Sequence, residues 1–181
     1  MNTSFIFNGK AAVAAIPLKA EKINSLQQFL IECLRRINYT EGNLGDLLLK
    51  LKGATSNKAI HKLIQQYEHI CINQKRQIYQ VFEVLDQHSV AKSNAIVSGL
   101  AAKTKNRLET ETVQKYMLAD LVIVMTLQLI VGYKIASYRN LALIANTLKL
   151  EKIKAIFLEC MENEKTIEAF IKDYVLKSSI N

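Results

Sequence analysis

The stretch SLQQFLIECLRRINYTEGNLGDLLLKLKG, residues 25–53, sets its apolar residues in steps of three, four and seven. Leu30, Leu34, Ile37, Leu44, Leu48 and Leu51 therefore share one face of a helix of about 3.6 residues per turn. Ser25, with Gln28 three residues on, offers a capping box at the start, and Gly53-Ala54-Thr55-Ser56-Asn57 supplies turn chemistry at the end. One polar residue stands in register with the stripe: Glu41, between Ile37 and Leu44. Gly42 and Gly45 beside it each cost a helix about 1 kcal/mol relative to Ala, and a break there would carry Glu41 off the seam.

The chain after this stretch repeats the pattern. A second helix follows Asn57, with Ile60, Ile64, Tyr67, Cys71, Ile78, Val81 and Leu85 on one face and Gln74 interrupting it. Residues 86–112 are mixed and predict a long connection carrying a short helix near Ala95-Ile96-Val97 and Leu100, ahead of a polar run from Lys103 to Thr112. The third long helix, from about Val113 to Asn146, is more apolar: 15 of the 20 residues from Met117 to Ala136 are hydrophobic, which predicts burial nearly all round. Its uncharged core between Asp120 and Lys134 is 13 residues, shorter than the ~20 a bilayer needs, so no stable membrane span is expected. A fourth helix carries Ile153, Phe157, Cys160, Ile167, Ile171 and Tyr174 on one face, with Glu164 interrupting.

These elements divide the chain into an N-terminal arm over 1–22, a helical domain over 23–177 and a tail over 178–181. Short links between the first and second helices and between the third and fourth predict antiparallel hairpins, while the long middle segment can cross the full length of a bundle. The fold class is therefore all-α, an antiparallel four-helix bundle of ferritin-like topology with one long crossover. A faint internal echo agrees, Asn43-Leu44 recurring as Asn140-Leu141 and Lys58-Ala59-Ile60 as Lys154-Ala155-Ile156.

Composition excludes several other classes. With 181 residues, half of them hydrophobic, and only 6 Gly and 1 Pro, the chain has enough core for one domain and too little punctuation for a β-sandwich. The net charge of +8 is scattered, with no Arg-rich run or aromatic-basic motif, so nucleic acid is not an expected partner. Cys33, Cys71 and Cys160 are widely spaced and odd in number, which fits a reduced, cytoplasmic protein. The N-terminal segment has no positive charge before Lys10 and makes a poor secretory signal. No nucleophile motif, phosphate loop or zinc knuckle is present, so no catalytic residues are assigned.

The chemistry lies in what interrupts the stripes, because a polar residue on a buried seam needs a partner or a metal. Glu41, Gln74 and Glu164 come from three helices that face one core, as carboxylate-bridged dimetal centres are built. The Glu/His complement of such a centre is missing. His61, His69 and His88 lie off the second stripe, and the third helix offers Val131 and Lys134 where ligands would be wanted. The two acids are then expected to pair with Lys134 or Arg139. Tyr133 and Tyr138 read as core and interface fillers.

Leu26-Gln-Gln-Phe-Leu-Ile-Glu-Cys-Leu-Arg leading to Tyr-Thr-Glu41, Gln80-Val-Phe-Glu-Val-Leu85, Tyr133-Lys-Ile-Ala-Ser-Tyr138 followed by Leu141, and Glu162-Asn-Glu164-Lys165, taken in order, resemble the bacterial YciE/YciF stress-protein family of the ferritin-like superfamily. The resemblance runs from about Leu26 to Phe170. It implies a four-helix bundle, usually dimeric, with a carboxylate/histidine dimetal site and a role in stress response. Glu41 and Glu164 match acids of that pattern, with Glu168 one turn further on. Gln74 stands where the family commonly has His, and Val131 and Lys134 stand where it commonly has acids. The expectation is a non-enzymatic homodimer that has kept the fold and lost most metal ligands, with no cofactor. The alternative is a residual iron or manganese site of ferroxidase type on Glu41, Gln74 and Glu164.

Overall fold

The computed structural model describes residues 25–110 and 115–178; the arm predicted over 1–22 and the last three residues lie outside them. Its helices are α1 (Leu26–Gly53), α2 (Lys58–Val84), α3 (Ala95–Thr110), α4 (Lys115–Thr147) and α5 (Glu151–Ser178), with no strand among the described residues. Ser25 caps α1 by accepting a hydrogen bond from the Gln28 N–H, and Asn57 caps α2 through the N–H groups of Ala59 and Ile60. Gly42 and Gly45 do not break α1, which runs continuously past Glu41. Both α2 and α4 end in Schellman turns, closed by Gln87 N–H to Phe82 O and by Leu150 N–H to Ala145 O. Asp86 and Lys149 take the left-handed positions there, at φ 51° and 58°.

Contacts fix the topology. Thr55 donates to Asp120 and Tyr138 to Glu41, so α1 and α4 are antiparallel neighbours. Asn57 meets Tyr174, Tyr67 meets Glu164 and Gln74 meets the Cys160 carbonyl, so α2 and α5 are antiparallel as well. With the α1/α2 and α4/α5 hairpins, this makes an antiparallel four-helix bundle whose long connection returns along its length, as the stripes predict. The core is continuous through all four long helices, from Leu30, Leu34 and Ile37 of α1 to Phe157 and Ile167 of α5.

The crossover helix is longer than the sequence reading allows, because the polar run from Lys103 belongs to α3. Its inward face, Val97, Leu100, Ala101, Thr104 and Leu108, is too small and polar to read as a stripe. Thr104 is satisfied across the interface, its hydroxyl 2.9 Å from that of Thr126 on α4. Asn94 pins the start of α3 by donating to Thr40 and Tyr133 and accepting from the Ile96 N–H.

The α4 segment Leu118–Thr147 is long and apolar enough to cross a membrane, and half of its most apolar window is buried. Its buried positions include Val131, Lys134 and Tyr138, while Leu121, Met125, Leu129, Gly132, Ala136 and Leu143 face outward.

Candidate functional site, a buried lysine between two glutamates

Near mid-bundle the four long helices each send polar side chains inward: Glu41 from α1, Tyr67, Cys71 and Gln74 from α2, Lys134 and Tyr138 from α4, and Glu164 from α5. The three interruptions noted on the stripes thus meet, and they meet on Lys134. Its Nζ donates to Glu41 Oε2 at 3.1 Å and to Gln74 Oε1 at 2.8 Å, and it forms ion pairs with Glu41 Oε1 at 2.9 Å and Glu164 Oε1 at 2.7 Å. An ammonium has three N–H donors, and here Glu41 Oε2, Gln74 Oε1 and, at 3.8 Å, the Cys71 sulfur accept them, while Glu164 contributes its charge at close range. Lys134 and Glu164 are fully buried and Glu41 nearly so. Of the two cations the sequence offers the acids, Lys134 is the partner; Arg139 is exposed.

One oxygen of each carboxylate accepts from a phenol. Tyr138 Oη donates to Glu41 Oε1 at 2.6 Å, and Tyr67 Oη donates to Glu164 Oε2 at 2.8 Å. Gln74 is oriented by donating Nε2 to the Cys160 carbonyl at 3.0 Å, which turns its oxygen toward the ammonium. Nζ also stands 5.1 Å from the centre of the Tyr67 ring, within cation–π range.

Two glutamates and one lysine leave this dry cluster with a formal charge of −1. Burial pushes the Glu41 carboxyl above its ordinary range; Lys134 opposes the shift and Glu164 reinforces it. Burial alone would lower the Lys134 pKa, but the Cys71 sulfur and the Glu164 and Glu41 carboxylates reverse that, and the net shift is upward. The phenols of Tyr67 and Tyr138 are raised by burial and by their carboxylate neighbours. Burial also raises both thiols, that of Cys160 to about 12, so neither is a ready nucleophile.

This donor set does not fit a two-metal centre. Nζ stands within salt-bridge distance of both carboxylates, in the space where a bridging cation would stand. Among the described residues no three His, Cys, Asp or Glu side chains are grouped to hold a metal. His61 binds the Thr55 carbonyl at the bundle end, and His69 and His88 are exposed. Glu168 reaches outward to Lys172 at 3.3 Å. A groove of about 750 Å³ between α1 and α2 has Glu41 and Cys71 among its lining residues, and it runs past Gly42 and Gly45.

Sequence reasoning missed the two phenols. Tyr138 is spaced i, i+4 from Lys134, and Tyr67, Cys71 and Gln74 are spaced i, i+4, i+7, so one helical face carries each set. The signal was present but reads equally as core packing. Tyr133, in contrast, holds the crossover through Asn94.

An antiparallel helical bundle with one long crossover and a charged, buried centre defines the class of protein. Within that class the chain belongs to the family described as Domain of unknown function (DUF892), whose model matches residues 25–181, and thus to the YciF stress-protein family. Protein YciF of Escherichia coli strain K12 is 24% identical over 157 residues, covering 86% of this chain and 93% of that protein. The crystal structure of the E. coli stress protein YciF superposes with a TM-score of 0.81 at 23% identity, over 88% of this chain and 99% of that one. YcfI of Rhodopseudomonas palustris, for which a structural role has been suggested, superposes with a TM-score of 0.79 at 22% identity, over 84% and 96%.

Proposed function

We propose that this protein is a stress-related structural module of ferritin-like type that works without a bound metal, as a cytoplasmic homodimer with no catalytic turnover. The observation that carries this reading is the Lys134 ammonium, ion-paired with both Glu41 and Glu164 and hydrogen-bonded to Glu41 and Gln74. A fixed cation inside the carboxylate pair repels a second cation and uses the oxygens it would need. Two structural neighbours, one described as a stress protein and one for which a structural role has been suggested, support the functional class.

Homodimerisation is supported by the outward face of α4. Aligned antiparallel with a second copy, Leu118 falls opposite Leu143, while Met125 falls opposite Ala136 and Leu129 opposite Gly132, large against small. Leu129 and Leu143 are 58% and 65% exposed without such a partner. The experiment is metal analysis by mass spectrometry on untagged protein, before and after anaerobic incubation with ferrous iron or manganese. The expected result is no retained metal. Near-stoichiometric iron or manganese, lost on Glu41→Ala or Glu164→Ala, overturns the reading.

A further inference from the structure

Charge pairing explains why Glu41, Glu164 and Lys134 are together, but it does not require two phenols. Both could have been phenylalanine at no loss to the ion pairs, yet each donates a hydrogen bond to a buried carboxylate. We propose that Tyr138 is a redox-active residue that gives up one electron while its phenolic proton passes to Glu41 Oε1, and that the bundle centre shelters the neutral radical so formed. This inference rests on the metal-free reading of the same centre.

Five observations single out Tyr138. A phenol that loses an electron becomes a very strong acid, so oxidation is easiest where a base already holds the proton. Glu41 Oε1 does so at 2.6 Å, and burial makes that carboxylate a stronger base than one in water. The cluster carries a formal −1 in a dry environment, and removing an electron leaves it neutral. Tyr67 is less suited, because the Lys134 charge stands over its ring and opposes electron loss. Tyr133 faces Asn94, a neutral amide that donates to it and cannot take its proton. Tyr138 is also fully buried, which keeps its ring from coupling with another phenol in solution.

The step balances with one co-reactant, an outer-sphere one-electron oxidant arriving from solvent. The Tyr138 O–H bond breaks, its electron reduces the oxidant and its proton stays on Glu41; re-reduction returns both. Lys134 keeps Glu164 and Gln74 paired throughout.

The test uses the full chain, treated with chelator, with metal content measured on the same sample. Photogenerated tris(bipyridine)ruthenium(III) supplies the oxidant, and the frozen product is read by electron paramagnetic resonance. The expected result is a neutral tyrosyl radical whose hyperfine pattern collapses with ring-deuterated tyrosine and which is lost in Tyr138→Phe. Glu41→Gln, which cannot accept the proton, should cut the yield about tenfold or more, the scale of one lost charge-assisted hydrogen bond. Tyr67→Phe should leave the signal in place, and circular dichroism checks that each variant folds. No radical in the wild type, a signal unchanged by Tyr138→Phe, or a yield indifferent to Glu41→Gln overturns the inference. Bound metal in the sample would defeat the metal-free reading instead, and the same variants would still decide the radical's location.

Discussion

The two faces of α4 invert the usual order of a surface helix. Its inward face carries a lysine and a hydrogen-bonded tyrosine at mid-bundle, while its outward face carries Leu121, Met125, Leu129 and Leu143. Ordinary amphipathic packing puts the charge outside. The inward polarity is stable because every Nζ donor is taken, by Glu41, Gln74 and the Cys71 sulfur; the outward apolarity is the face assigned to the proposed dimer. One helix thus satisfies its charge within its own chain and leaves its apolar surface for the proposed second copy.

The comparison breaks most sharply at Lys134. Lys134→Ala leaves Glu41 and Glu164 facing each other without a cation, and removal of one partner from a buried ion pair costs about 3–5 kcal/mol. Denaturant unfolding should show a loss of that size at pH 8 and a smaller one at pH 5, where protons replace the cation. An equal loss at both would mean that the two carboxylates do not depend on Lys134. On the outward face, the proposed dimer predicts a light-scattering mass of twice 20.5 kDa that Leu129→Glu lowers to that value, while leaving the monomer's fold intact.

The pH dependence sharpens the inward side. The folded pKa of Glu41 is raised above its unfolded value of 4.5, so the native state binds the extra proton and stability falls as pH rises through the interval between them. Glu32 works the other way: although its partial burial raises its pKa, Lys92 and Arg36 hold it below 4.5, so its contribution is lost only under more acidic conditions. A denaturation series above pH 4.5 should therefore show a falling stability in the wild type and a flatter profile in Glu41→Gln. The smallest expected effect lies away from both faces. A Cβ at Gly42 or Gly45 meets nothing within 4 Å, so Gly45→Ala should raise stability by about 0.5–1 kcal/mol by favouring α1. A loss in that variant would show that the open groove beside Glu41 is needed by the fold.

The helices were legible because each long stripe has a regular period and its ends carry caps: Ser25 and Asn57 begin α1 and α2, and apolar spacing through Glu41, Gln74 and Glu164 survives those interruptions. The full length of α3 was not legible, since its inner face alternates small residues with Thr104, whose partner Thr126 is known only from the packing. At the centre, the seam residues Glu41, Gln74 and Glu164 and the cation Lys134 could be read from the chain. The choice of Lys134 over Arg139 needed the rotation of α4, because the two lie five positions apart on different faces. The phenols needed tertiary geometry altogether, as a buried tyrosine on a stripe looks the same whether or not its hydroxyl finds a carboxylate.

The central claim is that Lys134 is a buried, fully hydrogen-bonded ammonium standing between Glu41 and Glu164. Lysine-selective ¹H–¹⁵N nuclear magnetic resonance tests it most directly, since exposed ammonium protons exchange too fast with water to be followed near neutral pH. The account predicts one slowly exchanging ammonium signal that is absent from Lys134→Met and still present at pH 9. A spectrum with no protected ammonium, or one whose protected signal survives Lys134→Met, would contradict it.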